Sequence, residues 1–327
     1  MNAHPSSAST PRPSPLLTAL AFGVVYVVWG ATYLAIRFAV ETVPPFVMAA
    51  GRHLTAGLIL YALVRARGTP PPQRMHWRSA FLIGAMLLTV ANGSVVWAES
   101  GGRVPSGLTA LIVATVAFWM ALFDWLRPGG KAPALQTVVG LVVGFGGVAL
   151  LVSPGELAGG KPVDLWGATA LMLCAFSWAA GSVYAQRAPL PKSMLQATAM
   201  EMIAGGALLL IVATVAREWP AVHLAAITAK SAVSFAFLVV FGSLLAFTAY
   251  IYMLRVATPV QVSTYAFVNP AVALLLGWAF AGEALTPRSL LAAALIIVAV
   301  VVILWSRSRA TAPGREMAAA VVETAGE

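Results

Sequence analysis

The 327-residue sequence is 60% hydrophobic and only 9% charged, where a soluble domain averages about 25% charged, so a water-facing globular surface is excluded. Its one cysteine, Cys174, lies in an apolar run, which leaves neither a disulfide framework nor a thiolate metal site. The formal net charge of +9 would suggest nucleic acid in a soluble protein. Here the basic residues gather in short breaks between apolar runs, where they act as topology signals, and no nucleic-acid partner is expected.

Residues 1–15 form a Ser- and Pro-rich tail that cannot bury a core and is expected to be disordered. No cleavable signal peptide is expected: the first apolar run, Leu16 to Ile36, exceeds a signal core of about 7–15 residues and matches the roughly 20 needed to cross a bilayer. Ten apolar stretches then read as spans. They are Leu16–Phe38, Pro45–Val64, Ala80–Glu99, Ser106–Leu126 and Leu135–Val152, then Leu165–Gln186, Leu195–Ala216, Ala232–Leu254, Pro259–Phe280 and Ser289–Trp305. Pro, Gly and charged residues mark the breaks. The expected fold is an all-α membrane protein of ten transmembrane helices, with a polar tail over 306–327.

Ten spans put both termini on one face. With the termini inside, the inward loops and tails collect most of the 20 Lys and Arg residues, among them Arg65, Arg67, Arg74, Arg78, Arg127, Lys131, Arg187, Lys192 and Arg255. That bias predicts cytoplasmic termini.

The chain also repeats itself. Trp29-Gly30-Ala31-Thr32-Tyr33 with Arg37 matches Trp178-Ala179-Ala180-Gly181-Ser182 with Arg187, and the run from Arg52 to Leu58 matches that from Glu201 to Ala207. The offset is 149 residues in both. Five spans per copy is an odd number, so the second copy enters the membrane inverted, the plan of many secondary transporters. Expected boundaries are 16–154 for the first repeat, a Gly-rich linker over 155–163, and 164–305 for the second.

Several motifs then fall in order. They are Trp29-Gly30, Arg52, Gly144-Phe145-Gly146-Gly147-Val148, the run from Val240 to Phe247, Asn269-Pro270, Gly277-Trp278, and Gly282-Glu283-Ala284-Leu285-Thr286-Pro287. From residue 16 to 305 this series resembles the EamA-type, ten-span branch of the drug/metabolite transporter superfamily. The resemblance implies a helical bundle that moves small metabolites, amino acids or amphiphiles across a cytoplasmic membrane, usually outward. The first copy departs from the pattern: Ala117 stands where proline is common, and Asp124 to Gly130 replaces a terminal Gly-Glu. The fourth span is therefore expected to be straighter than the ninth.

The candidate substrate-binding residues are those whose chemistry is costly in lipid. Arg52 lies about seven residues into its span, where a cation costs about 2.5–3.5 kcal/mol. It either anchors a substrate carboxylate or ties helix ends together through backbone carbonyls. Glu201, its counterpart in the second copy, is read as a cation partner, an amine site or a proton carrier. Trp29, Tyr33, Trp178 and Tyr265 read as cavity aromatics or core packing. Asn92 and Asn269 are mid-span amides, either glue between helices or substrate contacts. Pro270 and Gly242 are read as bending points, and Glu283 as a cap on the outer end.

Two other classes fare worse. An enzyme acting on lipid needs convergent acid, base or metal groups, yet His4, His53, His76 and His223 have no ligand spacing; no catalytic residue, metal or cofactor is expected. A sensor would carry a soluble module that the short tails lack. The expected partners are a small-molecule substrate, the lipid bilayer and protons, with the chain acting as a monomer or homodimer.

Overall fold

The computed structural model of the chain describes residues 14–100, 104, 106–151, 164–281 and 286–310. Within them the regular structure is helical throughout, with no strand. In chain order the helices are α1 Pro15–Ala39, α2 Pro45–Ala66, α3 Arg74–Ala98, α4 Ser106–Ala114, α5 Val116–Leu126 and α6 Leu135–Leu151. They continue as α7 Leu165–Ala185, α8 Met194–Val215, α9 Ala229–Val256, α10 Pro259–Ser263, α11 Tyr265–Ala281 and α12 Pro287–Ala310. Among the described residues six of these (α1, α2, α3, α7, α8 and α9) are long and apolar enough to cross a membrane.

Local chemistry sets the starts. The Ser14 hydroxyl accepts from Leu17 N–H, Asp164 Oδ1 from Trp166 N–H, the Ser193 hydroxyl from Gln196 N–H and the Thr228 hydroxyl from Ser231 N–H, each satisfying an orphan donor of a first turn. Thr258 and Gln261 form a capping box with Pro259 as the first helical residue. The third helix begins at Arg74, six residues before the expected Ala80, where Gln73 N–H donates to His76 Nδ1 at 3.2 Å.

Both stretches expected as the fourth and ninth spans are interrupted, which corrects the expectation that the fourth is the straighter. Helices α4 and α5 meet at Thr115, whose Oγ1 donates to Ile112 O at 2.6 Å. Helices α10 and α11 meet at Thr264, whose Oγ1 donates to Gln261 O at 2.6 Å. Each hydroxyl bonds three residues back and tightens the turn locally. The stretch expected as a ninth span is thus interrupted at Thr264, while α11 runs on through Pro270. Two longer helices also loosen midway into π turns, at Ala85–Asn92 in α3 and Leu238–Leu245 in α9.

The packing is reciprocal. Helix α1 lies against α11 and the last part of α9, while α7 lies against α5 and the π turns of α3. Helix α2 packs on α8 and α6 on α12. Small residues permit the two paired crossings: a Cβ on Gly57 would come 2.9 Å from the backbone N of Ile203, and one on Gly206 2.8 Å from that of Leu54. At the α6–α12 crossing, Gly140 receives Ile303 and Gly147 receives Ile296.

Outward faces carry exposed apolar side chains such as Leu58 on α2, Met172 and Phe176 on α7 and Ile211 on α8, the pattern expected where the surroundings are hydrocarbon. The expected linker over 155–163, the tail over 311–327 and Glu283 lie outside the described residues.

Candidate functional site

Where α1, α2, α3, α4, α5, α7, α9 and α11 converge, a cavity of about 90 Å³ lies between them. Of the residues singled out in the sequence, Trp29, Tyr33, Arg52, Asn92, Trp178, Gly242, Tyr265 and Asn269 all stand in its wall. Glu201 and Pro270 do not.

One side of the cavity is aromatic. Trp29 meets Trp178 edge-on at 5.5 Å between ring centroids and Tyr265 edge-on at 5.1 Å. Behind them the fully buried Tyr250 touches Trp29, Trp178 and Tyr265 at 5.0, 5.3 and 5.7 Å. Edge-to-face contacts of this kind add about 0.5–1.5 kcal/mol beyond their area burial.

The polar atoms of these rings are satisfied within the bundle. Trp29 Nε1–H donates to Gly242 O at 3.2 Å, a carbonyl in the π turns of α9. Trp178 Nε1–H donates to the Tyr250 hydroxyl at 2.7 Å, and that hydroxyl lies 2.5 Å from Ser182 Oγ. Ser182 donates in turn to Trp178 O at 2.7 Å. Its one proton being so used, Tyr250 is the donor to Ser182, and the three groups close a loop. Ser177 Oγ donates to Met86 O, in the π turns of α3, at 2.9 Å.

The opposite corner is cationic and amide-lined. Arg52 is 5% exposed, and its Nε–H donates to Ser243 Oγ at 2.8 Å. Among the described residues no carboxylate lies within ion-pair distance, and its terminal nitrogens make no hydrogen bond. Gly242 makes room for it: a Cβ there would sit 2.9 Å from Arg52 Nη2. That close approach accounts for the glycine without calling on a hinge. Beside Arg52, His53 is 2% exposed with neither ring nitrogen hydrogen-bonded. Asn92 faces that ring, but at a geometry short of a hydrogen bond, and its buried Oδ1 is likewise without a donor.

Asn269 serves the backbone. With its amide nitrogen turned to the two carbonyls it faces, it donates to Tyr26 O at 3.2 Å and Tyr265 O at 3.0 Å. Pro270 has no N–H to offer its preceding turn, and the neighbouring amide ties that stretch of α11 to α1.

Glu201 is fully buried on α8, where Gly84 of α3 crosses its carbonyl. Neither carboxyl oxygen has a hydrogen-bond partner, and the nearest electrostatic neighbours are Arg255 and Tyr250, both on α9. The acid therefore sits behind the aromatic wall and away from the cavity.

The sequence reading passed over His53, Cys174 and Thr32, all in the wall. His53 carried a usable signal, a second polar residue beside Arg52 at the same depth. Cys174 carried none, since a lone apolar-run cysteine is ordinarily packing.

Comparison with known proteins places this architecture. The sequence profile of the EamA-like transporter family matches twice, over residues 16–153 and 165–305. The chain is 39% identical to the "Uncharacterized inner membrane transporter YedA" of Escherichia coli (strain K12), over 92% of this chain and 94% of that protein. It is 28% identical to "Protein PecM" of Dickeya dadantii (strain 3937), over 88% and 93%. It is 27% identical to the "Uncharacterized transporter YvbV" of Bacillus subtilis (strain 168), over 90% and 93%. A crystal structure at 20% identity superposes with a TM-score of 0.71, covering 90% of this chain and 99% of that one.

Proposed function

The chain belongs to the EamA-like transporter family, and from that premise we propose that it exports small metabolites or amino acids by alternating access through the cavity between α1, α2, α3, α4, α5, α7, α9 and α11. The observation that carries this reading is the cavity itself. An unpaired guanidinium and an unpartnered imidazole, both nine-tenths or more buried, face an aromatic wall inside a bundle whose outer surface is apolar. Such groups are expensive in hydrocarbon and mark substrate pathways.

Alternating access follows from the plan of the chain: ten spans in two inverted five-helix repeats, 16–154 and 164–305, with α4 and α5 forming the fourth span and α10 and α11 the ninth. Exchange of partners supports it, since α1 packs on α11 and α9 as α7 packs on α5 and α3. The interrupting threonines stand at the repeat offset, as do Gly57 and Gly206. Rocking one repeat against the other opens the cavity to each face in turn. The chain sits in the inner membrane with cytoplasmic termini, by the bias of its basic loops.

A second reading, export of bulky amphiphiles, draws on the aromatic wall; Arg52 in the same cavity disfavours cationic ones. Flux through proteoliposomes tests both: saturable uptake of a metabolite or amino acid, lost in Trp178→Ala, is expected. Absence of saturable flux across a panel of amino acids, purine bases and amphiphiles overturns the transporter mechanism.

A further inference from the structure

We infer that the hairpin joining α2 to α3 holds an anionic glycerophospholipid, its phosphate among four arginines and its acyl chains along the outer faces of the two helices. Arg65, Arg67, Arg74 and Arg78 fall within 14 residues, and no Asp or Glu occurs between residues 42 and 98. All four are exposed. Arg65 donates back to Thr69 O. Among the described residues Arg67, Arg74 and Arg78 have no hydrogen bond or ion pair.

This charge differs from that of the other loops at the same end of the bundle. There Arg127 is ion-paired with Asp124, and Arg187 donates to Pro128 O at 3.2 Å. Arg74 and Arg78 stand four residues apart on one face of α3, a spacing at which like charges destabilise a helix. An anion between them removes that repulsion. The turn is also stiff. Gly68 takes a left-handed φ of +80°, and Pro70, Pro71 and Pro72 follow with their φ fixed by the ring. Gln196 Nε2–H donates to Pro70 O at 2.8 Å, which ties the turn to the start of α8. The arginines are thus presented on a preformed hairpin.

Next to the charge lies an apolar surface. Tyr61 and Trp77 bring α2 and α3 together at 6.1 Å between ring centroids, the aromatic level at which headgroups give way to chains. One turn further from the hairpin, Leu58 and Ile59 on α2 and Phe81 and Leu82 on α3 are exposed. A ligand that meets both parts needs a negative headgroup and apolar chains. A soluble phosphate ester leaves the apolar part bare, and a zwitterionic lipid brings its own cation to the arginines. Clusters of about four to eight basic residues beside a membrane-spanning helix bind acidic headgroups in this way.

The test uses the full-length protein in a neutral detergent, titrated with phosphatidylglycerol or phosphatidylcholine. Native mass spectrometry reads binding. Quenching of tryptophan fluorescence by brominated chains, compared between wild type and Trp77→Phe, locates the lipid. Phosphatidylglycerol is expected to bind at least about tenfold tighter than phosphatidylcholine, and Trp77→Phe to lose most of the saturable quenching. Arg74→Gln combined with Arg78→Gln is expected to weaken phosphatidylglycerol about 25-fold, at about fivefold per arginine. Lys131→Gln combined with Arg187→Gln, an equal loss of charge on other loops, should leave it unchanged. Raising salt from about 0.1 to 1 M shortens the Debye length from about 10 to 3 Å and should erase the preference in the unaltered protein, a result that depends on no variant folding.

Equal binding of the two lipids overturns the inference. So does an equal loss in both double variants, which would make the preference one of overall charge. Displacement of phosphatidylglycerol by millimolar glycerol 3-phosphate overturns it as well, by showing a site for the free anion. Each of these results leaves the transporter reading standing.

Discussion

Thr115 and Thr264 interrupt their helices with the same bond. Each hydroxyl donates at 2.6 Å to the carbonyl three residues before it, Ile112 in one case and Gln261 in the other. The two stand at the offset that relates Trp29 to Trp178. The interruptions are therefore a matched pair, one flanking Val116 and the other Tyr265, both in the cavity wall. Thr264 also meets the Tyr26 hydroxyl at 2.6 Å. Substituting valine keeps the shape and removes the bonds. Thr264→Val is expected to lower stability by about 1 kcal/mol more than Thr115→Val, because it strands a tyrosine hydroxyl as well. Thermal midpoints of the purified variants check the order, and equal midpoints would contradict it.

The α2–α8 crossing offers a second test. Gly57 lies against Ile203 and Gly206 against Leu54, with backbone atoms within 3.0 Å of where a Cβ would be. Backbone cannot swing aside as a side-chain tip can, so the helices must separate. Gly57→Ala and Gly206→Ala are each expected to cost about 1–3 kcal/mol by overpacking. Gly23, which has open space around it, serves as the control. Gly23→Ala should leave the thermal midpoint unchanged, and a similar loss at all three positions would defeat the argument.

Cys174 gives a direct view of the cavity. It is the only thiol in the chain and stands in the wall, 4% exposed. A small neutral methanethiosulfonate added to the protein is expected to react slowly, to block flux once attached, and to react several-fold slower still when the cavity is occupied by substrate. Mass spectrometry follows the adduct. Modification that leaves flux intact would show that the cavity is off the pathway.

Much of this was legible from residue type alone. Arg52 stands out because a charge is rare in a span, while His53 beside it carries a signal that goes unused, and the pairing of Trp29 with Trp178 follows from the repeat. The helix interruptions fall at threonines. Proline is the loud signal for a broken helix, yet α11 continues through Pro270, where the adjacent Asn269 amide bonds the carbonyls of Tyr26 and Tyr265. A threonine bonding back to its own helix leaves no such mark, since most threonines in spans do so without breaking it. The π turns at Ala85–Asn92 and Leu238–Leu245 were equally silent. Within them side chains of neighbouring helices bond backbone carbonyls, as Ser177 bonds that of Met86 and Trp29 that of Gly242.

Tyr250 shows what the aromatic wall leans on. Its hydroxyl accepts from Trp178 and donates to Ser182, so Tyr250→Phe removes two of the loop's three bonds while keeping the ring volume. Trp178 N–H is then left buried without an acceptor, at a cost of about 1–3 kcal/mol. The variant is expected to be less stable by that amount and to show a raised KM as the Trp178 ring loosens. Trp178→Phe, which removes the donor as well, should hold its stability better in the Tyr250→Phe background than a sum of the two single losses requires. Strict additivity would mean that the bond carries no coupling.

Glu201 poses the question of energy coupling. Its carboxyl is fully buried with no hydrogen-bond partner, and the groups within electrostatic reach are Arg255 and Tyr250 on α9. Those two place it between the back of the aromatic wall and the end of α9 where Arg255 sits exposed. A carboxyl that gains or loses a proton there changes the charge facing Tyr250, and through Tyr250 the bond that holds Trp178. Glu201→Gln keeps the shape and fixes the neutral state. In proteoliposomes with an imposed pH gradient, the wild-type protein is expected to transport faster than without one. Glu201→Gln should run at the same rate in both, retaining downhill flux. A wild-type rate indifferent to the gradient, or a variant that keeps the wild-type response, would remove Glu201 from the coupling and leave it as a packing residue of α8.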